Sequence, residues 1–231
     1  MNAPVNRSIN CNILCVSDQI DPLVYSAAIK NRYGKADLVL CAGDLPLEYL
    51  DFIVSSLNLP LLFIFGNHHL ESYERYKRPH KNRPWDSGTS GLTYIGARMW
   101  KEGQLLVGGL DGSMRYNSGI NQYTETQMFF EICKLIPRMM LNRIIHGRFI
   151  DILLTHAAPR GIHDKSDPCH LGFKCFLWFM NVFKPRYLIH GHIHLYDLGD
   201  VRSSVYKNTV VINAYGHMAI GPFNREVKND G

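Results

Sequence analysis

Five short apolar runs in this chain each lead into side chains able to bind a cation. ILCVS precedes Asp18, VLCAG precedes Asp44, FIFG precedes Asn67 and His68, ILLT precedes His156, and YLIHG precedes His192, with His194 two residues on. Carboxylate, amide and imidazole supply oxygen and nitrogen donors of borderline hardness, a set that suits Mn, Fe, Zn or Mg. Taken singly, each has an ordinary explanation. An Asp after a strand caps the next helix, and a His at a strand end is a satisfied core residue. Five coincident ordinary explanations are a weaker account than one shared site. Gly43, Gly66 and Gly191 stand immediately before three of the blocks, and glycine there permits a sharp turn that points the next side chain outward. No GxSxG elbow, P-loop or GxGxxG cradle is present, and no Cys–His pair is singled out by spacing.

The elements that must position these residues are legible as short apolar runs alternating with helical patterns. Residues 12–16, 37–42, 60–65, 92–95, 104–110, 151–155, 186–190 and 209–213 read as strands, and 23–33, 47–57, 124–145 and 171–183 as helices. Strands apolar on both faces and separated by helices imply a largely buried α/β sheet. The carboxyl ends of such strands are where ligands bind. Residues 71–91 and 111–123 read as loops over that face. The helix over 124–145 is unusual in cross-section. Gln127, Glu131, Lys134, Arg138 and Asn142 form one narrow polar stripe, the remaining arc is far wider than a surface helix needs, and Pro137 should kink it. Residues 171–183 are nearly apolar all round. Both helices read as core elements, with a peripheral membrane or protein contact as the alternative.

Composition bounds the remainder. At 231 residues, 46% apolar and 19% charged, the chain fits one globular domain over 1–231 and neither a disordered nor a coiled-coil protein. The net charge of +5 suits an anionic substrate without giving a specific nucleic-acid signal. The densest basic stretch, Arg75, Lys77, Arg78, Lys81 and Arg83, reads as a solvated loop or a contact for a phosphate-rich ligand. Six cysteines without CxxC spacing, and an N-terminus without an apolar signal segment, lead to the expectation of a soluble cytoplasmic protein. Oligomeric state is not encoded in any pattern found.

The ordered blocks Asp18, GD at 43–44, GNH at 66–68, His156 and GHIH at 191–194 resemble the calcineurin-like metallophosphoesterases, from about Val16 to His194. The resemblance implies an α/β fold, a two-sheet sandwich flanked by helices (α/β/β/α), with two divalent metal ions at the sheet edge. Carried over by position, Asp18 and His194 hold one metal, Asn67, His156 and His192 the other, and Asp44 bridges them. Such a pair, about 3.5–4 Å apart, clamps phosphate oxygens and acidifies a bridging water for in-line attack on a phosphate mono- or diester. His68 is the family's group for protonating the leaving oxygen, or else a supporting neighbour.

The family pattern is broken at three places. DxH becomes Asp18-Gln19-Ile20, which removes one imidazole from the first metal. Asp21 or Gln19 replaces it, or Asp21 instead caps the helix that starts after Pro22. GDxxD ends in Leu47, and GNH is followed by His69 rather than a carboxylate. Losses of supporting groups of this kind cost about 10 to 100-fold in affinity or activity. Arg115, Tyr116, Arg160 and His163, with Asn117 and His170, sit on loops expected near the substrate, where arginine reads phosphate bidentately. Two readings compete with a soluble hydrolase: a weak or inactive scaffold of the same fold, and a hydrolase working at a membrane surface on a lipid-linked phosphate.

Overall fold

The computed structural model describes residues 11–70, 73–77, 91–197 and 199–221, leaving aside the side chains of 75 and 77. Most of the basic stretch, and of the 71–91 loop, therefore falls outside the described residues. Within them, Ile13–Ser17 (β1), Leu38–Cys41 (β2), Leu61–Phe63 (β3) and Leu92–Tyr94 (β4) run parallel, and Gly216–Ile220 (β13) pairs antiparallel to β1. The first sheet has the order β13-β1-β2-β3-β4. A second sheet is built from Arg98–Glu102 (β5), Leu105–Leu110 (β6), Ile152–Thr155 (β9), Tyr187–His190 (β10), Ser203–Tyr206 (β11) and Thr209–Asn213 (β12) in the order β11-β12-β10-β9-β6-β5. Its inner four strands are parallel and both edges antiparallel. Ser113–Met114 (β7) and Gln122–Tyr123 (β8) form a small parallel pair within the stretch expected to be loop.

Alternation along the strands explains why their sequences are apolar throughout. Ile13, Cys15, Leu38, Leu40 and Leu62 face Val107, Ile152, Leu154, Ile189 and Ile212 across the sandwich. The intervening Leu14, Val16, Val39, Cys41 and Phe63 face outward, under the helices Ile29–Tyr33 (α1) and Leu47–Leu57 (α2). On the other flank Leu110, Leu153, Leu188 and Val211 meet Glu125–His146 (α4) and Lys174–Phe183 (α5). The layers are thus helix, sheet, sheet, helix, and the inner strands of each sheet are dry on both faces. A further short helix, Tyr73–Lys77 (α3), precedes β4.

All eight strands anticipated from sequence are present within a residue or two. The edge strands β5, β11 and β13 go beyond that expectation, because their residues are exposed or half-buried over much of their length and carry no two-sided apolar run. The first helix is shorter than its pattern. Asp21 Oδ1 accepts the Leu23 N–H at 2.8 Å and the Asp21 carbonyl accepts those of Val24 and Tyr25, so local turns occupy 22–28 before α1 begins at Ile29. Helix α4 starts with a complete capping box between Thr124 and Gln127.

Core packing accounts for only one side of α4. Met128, Ile132, Leu135 and Met139 are fully buried, and Asn142 of the polar stripe is buried with them, its amide donating to the Phe149 carbonyl. Phe130, Met140, Ile144 and Ile145 face water, Ile144 at 80% exposure, and on α5 Trp178 and Val182 are also exposed. The helix therefore has two apolar faces. Met139→Ala is expected to cost about 2–5 kcal/mol of stability, whereas Ile144→Ala should change it by less than about 0.5 kcal/mol. Paired urea melts read the contrast directly.

Candidate metal centre

The blocks converge where the carboxyl ends of strands from the two sheets meet. Asp44 follows β2 in the first sheet, His156 follows β9 in the second, and His192 follows β10. One donor atom from each lies within 4.8 Å of the other two, and all three residues are buried. Asn67 Oδ1 stands 3.1 Å from His156 Nε2, and Asp44 Oδ2 stands 3.2 Å from the same nitrogen. Asp18 joins through the backbone: both its oxygens accept the His192 N–H, at 3.0 and 2.9 Å.

Both buried imidazoles are oriented by a carbonyl behind them. His156 Nδ1–H donates to Ala42 O at 2.8 Å, turning Nε2 toward Asn67 and Asp44. His192 Nε2–H donates to Cys169 O at 2.6 Å, which leaves Nδ1 for the centre. Histidines that hold metals are commonly supported this way, with the outer nitrogen fixing the tautomer. His68 contributes its backbone N–H to Asp44 Oδ1 at 2.7 Å, and the residue is exposed.

The glycines serve close approach as much as turning. Neither Gly66 nor Gly191 has positive φ. A Cβ on Gly66 would lie 2.1 Å from Asp44 Oδ1, and one on Gly191 would lie 1.9 Å from Ser17 Oγ and 2.4 Å from Asp18 Oδ2. Gly43 does make the expected turn, at φ 97°, and positive φ falls also on Asp18, Asp44 and His192 themselves, at 63°, 56° and 67°. Such backbone is costly for residues with side chains and clusters at functional sites.

Electrostatics are consistent with a cation site. Burial pushes the Asp44 carboxyl up, but the charge and hydrogen bond of His156 and the His68 N–H outweigh it and hold the group well below the usual carboxylate range. Burial works against charge on His156 too, and Asp44 and then Asp18 overcome it, so its pKa is raised. Asp18 is pushed up by burial and by Asp44, with His156 opposing. His192 is depressed to about 3, first by burial and then by the His156 charge. Two carboxylates drawn together with neutral and cationic imidazole form an assembly in which a dication can replace protons.

The other anticipated site residues divide into those near this cluster and those engaged elsewhere. Tyr116 is near it, its hydroxyl accepting from Asn67 Nδ2 at 3.3 Å. His194 donates or accepts through Nδ1 to the Tyr196 hydroxyl at 2.6 Å and lies on Tyr215, with ring centroids 4.8 Å apart. It lines a cleft of about 580 Å³ shared with His163, Lys165 and Ser204. His163 is tied within that cleft to His190 Nε2 at 2.9 Å and to Ser204 Oγ at 2.8 Å. Arg160 is partly exposed, with Nε 3.9 Å from Asp164. Arg115 instead spends its guanidinium on the Gln122 carbonyl, at 3.1 Å, where it braces β7 against β8. Asp21 caps a local turn rather than the expected helix: its Oδ1 accepts the Leu23 N–H, and α1 starts only at Ile29 after Ala28. Its second oxygen is also taken, by His217 Nδ1 at 2.6 Å, and Ile20 is 43% exposed.

Sequence reasoning passed over Asn121. Its amide donates to the Phe65 and Gly66 carbonyls, at 3.3 and 2.5 Å, and its oxygen accepts from Tyr73 and Tyr123, so it clamps the loop that presents Asn67. Asp111 adds a second brace by accepting the Phe65 N–H at 2.9 Å. Asp111 and Asn121 lie in an apparent loop whose sequence carried no signal for either role.

The profile of the calcineurin-like phosphoesterases matches residues 12–196. The chain belongs to the calcineurin-like phosphoesterase family. No curated protein matches it. Among solved structures, one crystal structure superposes with a TM-score of 0.62 at 12% identity, covering 91% of this chain and 94% of its own. That of TT1561 of Thermus thermophilus superposes with a TM-score of 0.59 at 11% identity, covering 89% of each. At such identities the likeness is one of fold, and the layered architecture anticipated from the motifs is the one observed. Calcineurin-like phosphoesterases act on phosphate esters and generally hold two divalent metals, and Asp44, His156 and His192 form a group of candidate ligands here.

His190 and His192 are both buried and depressed to about 3, chiefly by burial. The unfolded chain therefore binds more protons than the folded one between pH 6.5 and 3, and stability falls as pH drops through that window. His156, raised, contributes oppositely: its stabilisation is full below pH 6.5 and is lost as pH rises through its elevated pKa, so it offsets only a fraction between about pH 7 and 5. In chelated protein the two depressed histidines should lower stability on going from about pH 7 to 5, with His156 and the raised Asp18 carboxyl, which takes up its proton more readily in the folded chain, offsetting part of the loss. Urea midpoints at the two pH values measure it.

Proposed function

We propose that this calcineurin-like phosphoesterase is a metal-dependent hydrolase of phosphate mono- or diesters. The observation that carries this reading is the meeting of Asp44, Asn67, His156 and His192 from both sheets, with each imidazole already turned inward by a carbonyl. We assign Asp18 and His194 to one metal, Asn67, His156 and His192 to the other, and Asp44 to both. Bound there, a divalent pair supplies Lewis acidity toward phosphate oxygens and an acidified water. Mn, Fe, Zn and Mg all suit oxygen and nitrogen donors, and the carboxylate share favours Mn, Fe or Mg at the first position.

The chain's own residues do the rest. Asp44 gathers negative charge between the two positions, and the His68 N–H keeps it ionised and aimed. The imidazole of the exposed His68 protonates the departing alkoxide. Tyr116, bonded to Asn67, borders the bound phosphate, and Arg160 on the loop after β9 supplies a cation to it. The first metal position has one imidazole fewer than the family pattern, since Ile20 cannot coordinate and Asp21 is engaged, so its occupancy should be the weaker. The missing imidazole by itself speaks for a weak or inactive scaffold; the retained Asp44, Asn67, His68, His156, His192 and His194 speak for an active enzyme with a demanding metal requirement.

Purified protein should hydrolyse an aryl phosphate ester with added Mn and lose activity on chelation. His156→Ala should abolish turnover, and Asn121→Ala, which frees the loop without removing a ligand, should lower it about 10 to 100-fold. Equal rates in metal-replete and chelated protein would refute the assignment.

A second element of function concerns where the enzyme works. The outer face of α4 presents Phe130, Met140 and Ile144, and α5 adds Trp178. The same helices carry exposed Arg138, Arg143 and Lys174, while their acidic groups are occupied: Glu131 by Lys134, and Glu125 by the Lys174 and Cys175 N–H groups. Apolar and aromatic side chains with a surplus of cations fit an anionic lipid surface. No described helix is long and apolar enough to cross a membrane, so the contact is peripheral. Vesicles containing phosphatidylglycerol should sediment the protein at low salt, phosphatidylcholine vesicles should not, and Phe130→Asp with Ile144→Asp should release it. A soluble dimer dispersed by the same variant, without vesicle binding, would show that a second copy covers this face instead.

A further inference from the structure

Three donors that the phosphoesterase centre does not use share one tight turn between β9 and α5. Asp167 precedes the short 3-10 segment Pro168–His170, which contributes Cys169 and His170. Cys169 Sγ–H donates to Asp167 Oδ2 at 2.7 Å, and His170 Nδ1–H donates to the same oxygen at 2.6 Å. Sulfur and nitrogen are 3.4 Å apart. One ligand atom from each residue lies within 4.8 Å of the other two. All three residues are half-buried, so the turn backs the cluster while its outer side meets water.

The geometry argues against a thiol–imidazole nucleophile. Both hydrogens point at the carboxylate oxygen, so His170 Nδ1 is not placed to take the thiol proton. It matches instead a donor set of one sulfur, one imidazole and one carboxylate arranged around a common point. In a tetrahedral Zn site with Zn–S of about 2.3 Å and Zn–N of about 2.0 Å, sulfur and nitrogen are roughly 3.5 Å apart, and here they already stand at 3.4 Å. Only the carboxylate must retreat, by about 1 Å, and its side chain is the more exposed of the pair, at 44% against 31% for His170.

We propose that Asp167, Cys169 and His170 form a separate site for a thiophilic divalent cation such as Zn²⁺, with its fourth position left to water. Binding displaces the Cys169 thiol proton to solvent, and His170 ligates through Nδ1 with its proton on Nε2. Thiolate and carboxylate together neutralise the dication. The position links this site to the first one. The Cys169 carbonyl accepts the His192 Nε2–H, and the His170 ring lies 5.3 Å from that of His192. A cation that fixes the turn fixes the carbonyl that orients His192, so occupancy tunes the phosphoesterase centre.

Cobalt titration of the chelated full chain tests this. The donors assigned to the phosphoesterase centre contain no sulfur, so thiolate-to-cobalt charge-transfer absorption in the near ultraviolet reports only on a cysteine site. The band should grow with one equivalent of Co²⁺ and vanish in Cys169→Ser, which should also bind one equivalent less. Asp167→Asn should keep the band and weaken its half-saturation about tenfold. Absence of the band, or a band undiminished in Cys169→Ser, overturns the proposal. Neither readout uses hydrolysis, so failure of the phosphoesterase assay would leave this result standing, and the reverse.

Discussion

The contact between the Asp44 carboxylate and the His156 imidazole is the one on which the architecture turns. Asp44 belongs to one sheet and His156 to the other, and the same imidazole also reaches the Ala42 carbonyl across the sandwich. Both groups are buried at the end of a dry interface formed by Ile13, Leu40, Leu62, Leu154 and Ile189. Neither charge is tolerable there alone, because an isolated ion in such surroundings carries a large desolvation penalty. The two sheets must therefore close in the one register that pairs them. Packing holds the sheets together without much directional preference, and the polar rim supplies the direction.

Around that contact the structure adds supports that are backbone groups more often than side chains. Carbonyls of Ala42 and Cys169 aim the histidines, the His68 and His192 amides aim the carboxylates, and Asn121 grips two carbonyls of the intervening loop. Backbone donors and acceptors are fixed by the fold itself and lose little entropy on use, which makes them efficient for holding a cluster whose members repel in the wrong protonation state.

Much of this was legible in the amino-acid order, for identifiable reasons. Strands covered on both faces are continuous apolar runs, and a polar residue at their ends stands out against them, so Asp44, Asn67, His156 and His192 could be found before any coordinates. What sequence hid has equally physical causes. Edge strands such as Ser203–Tyr206 are half wet and lose the two-sided signature. Asn121 acts through carbonyls, and no side-chain pattern records which backbone oxygen is near. The glycines were visible, but their purpose was not: a turn and a steric gap leave the same letter. Helix α4 was the hardest case, because an apolar residue facing a core and one facing outward are identical in sequence. The three-to-four spacing of Phe130, Cys133, Pro137, Met140 and Ile144 is as regular as that of the buried set.

The space withheld from side chains at Gly66 and Gly191 shapes what this protein can become. Because carboxylate and hydroxyl oxygens press directly on main-chain atoms there, the rear of the chamber is peptide and cannot be recut by exchanging residues. Diversification is left to the loops at its open side, chiefly the segment bearing Tyr116 and the one running from Arg160 to His170. A lineage carrying this scaffold can change its clientele freely while its inner wall stays the same.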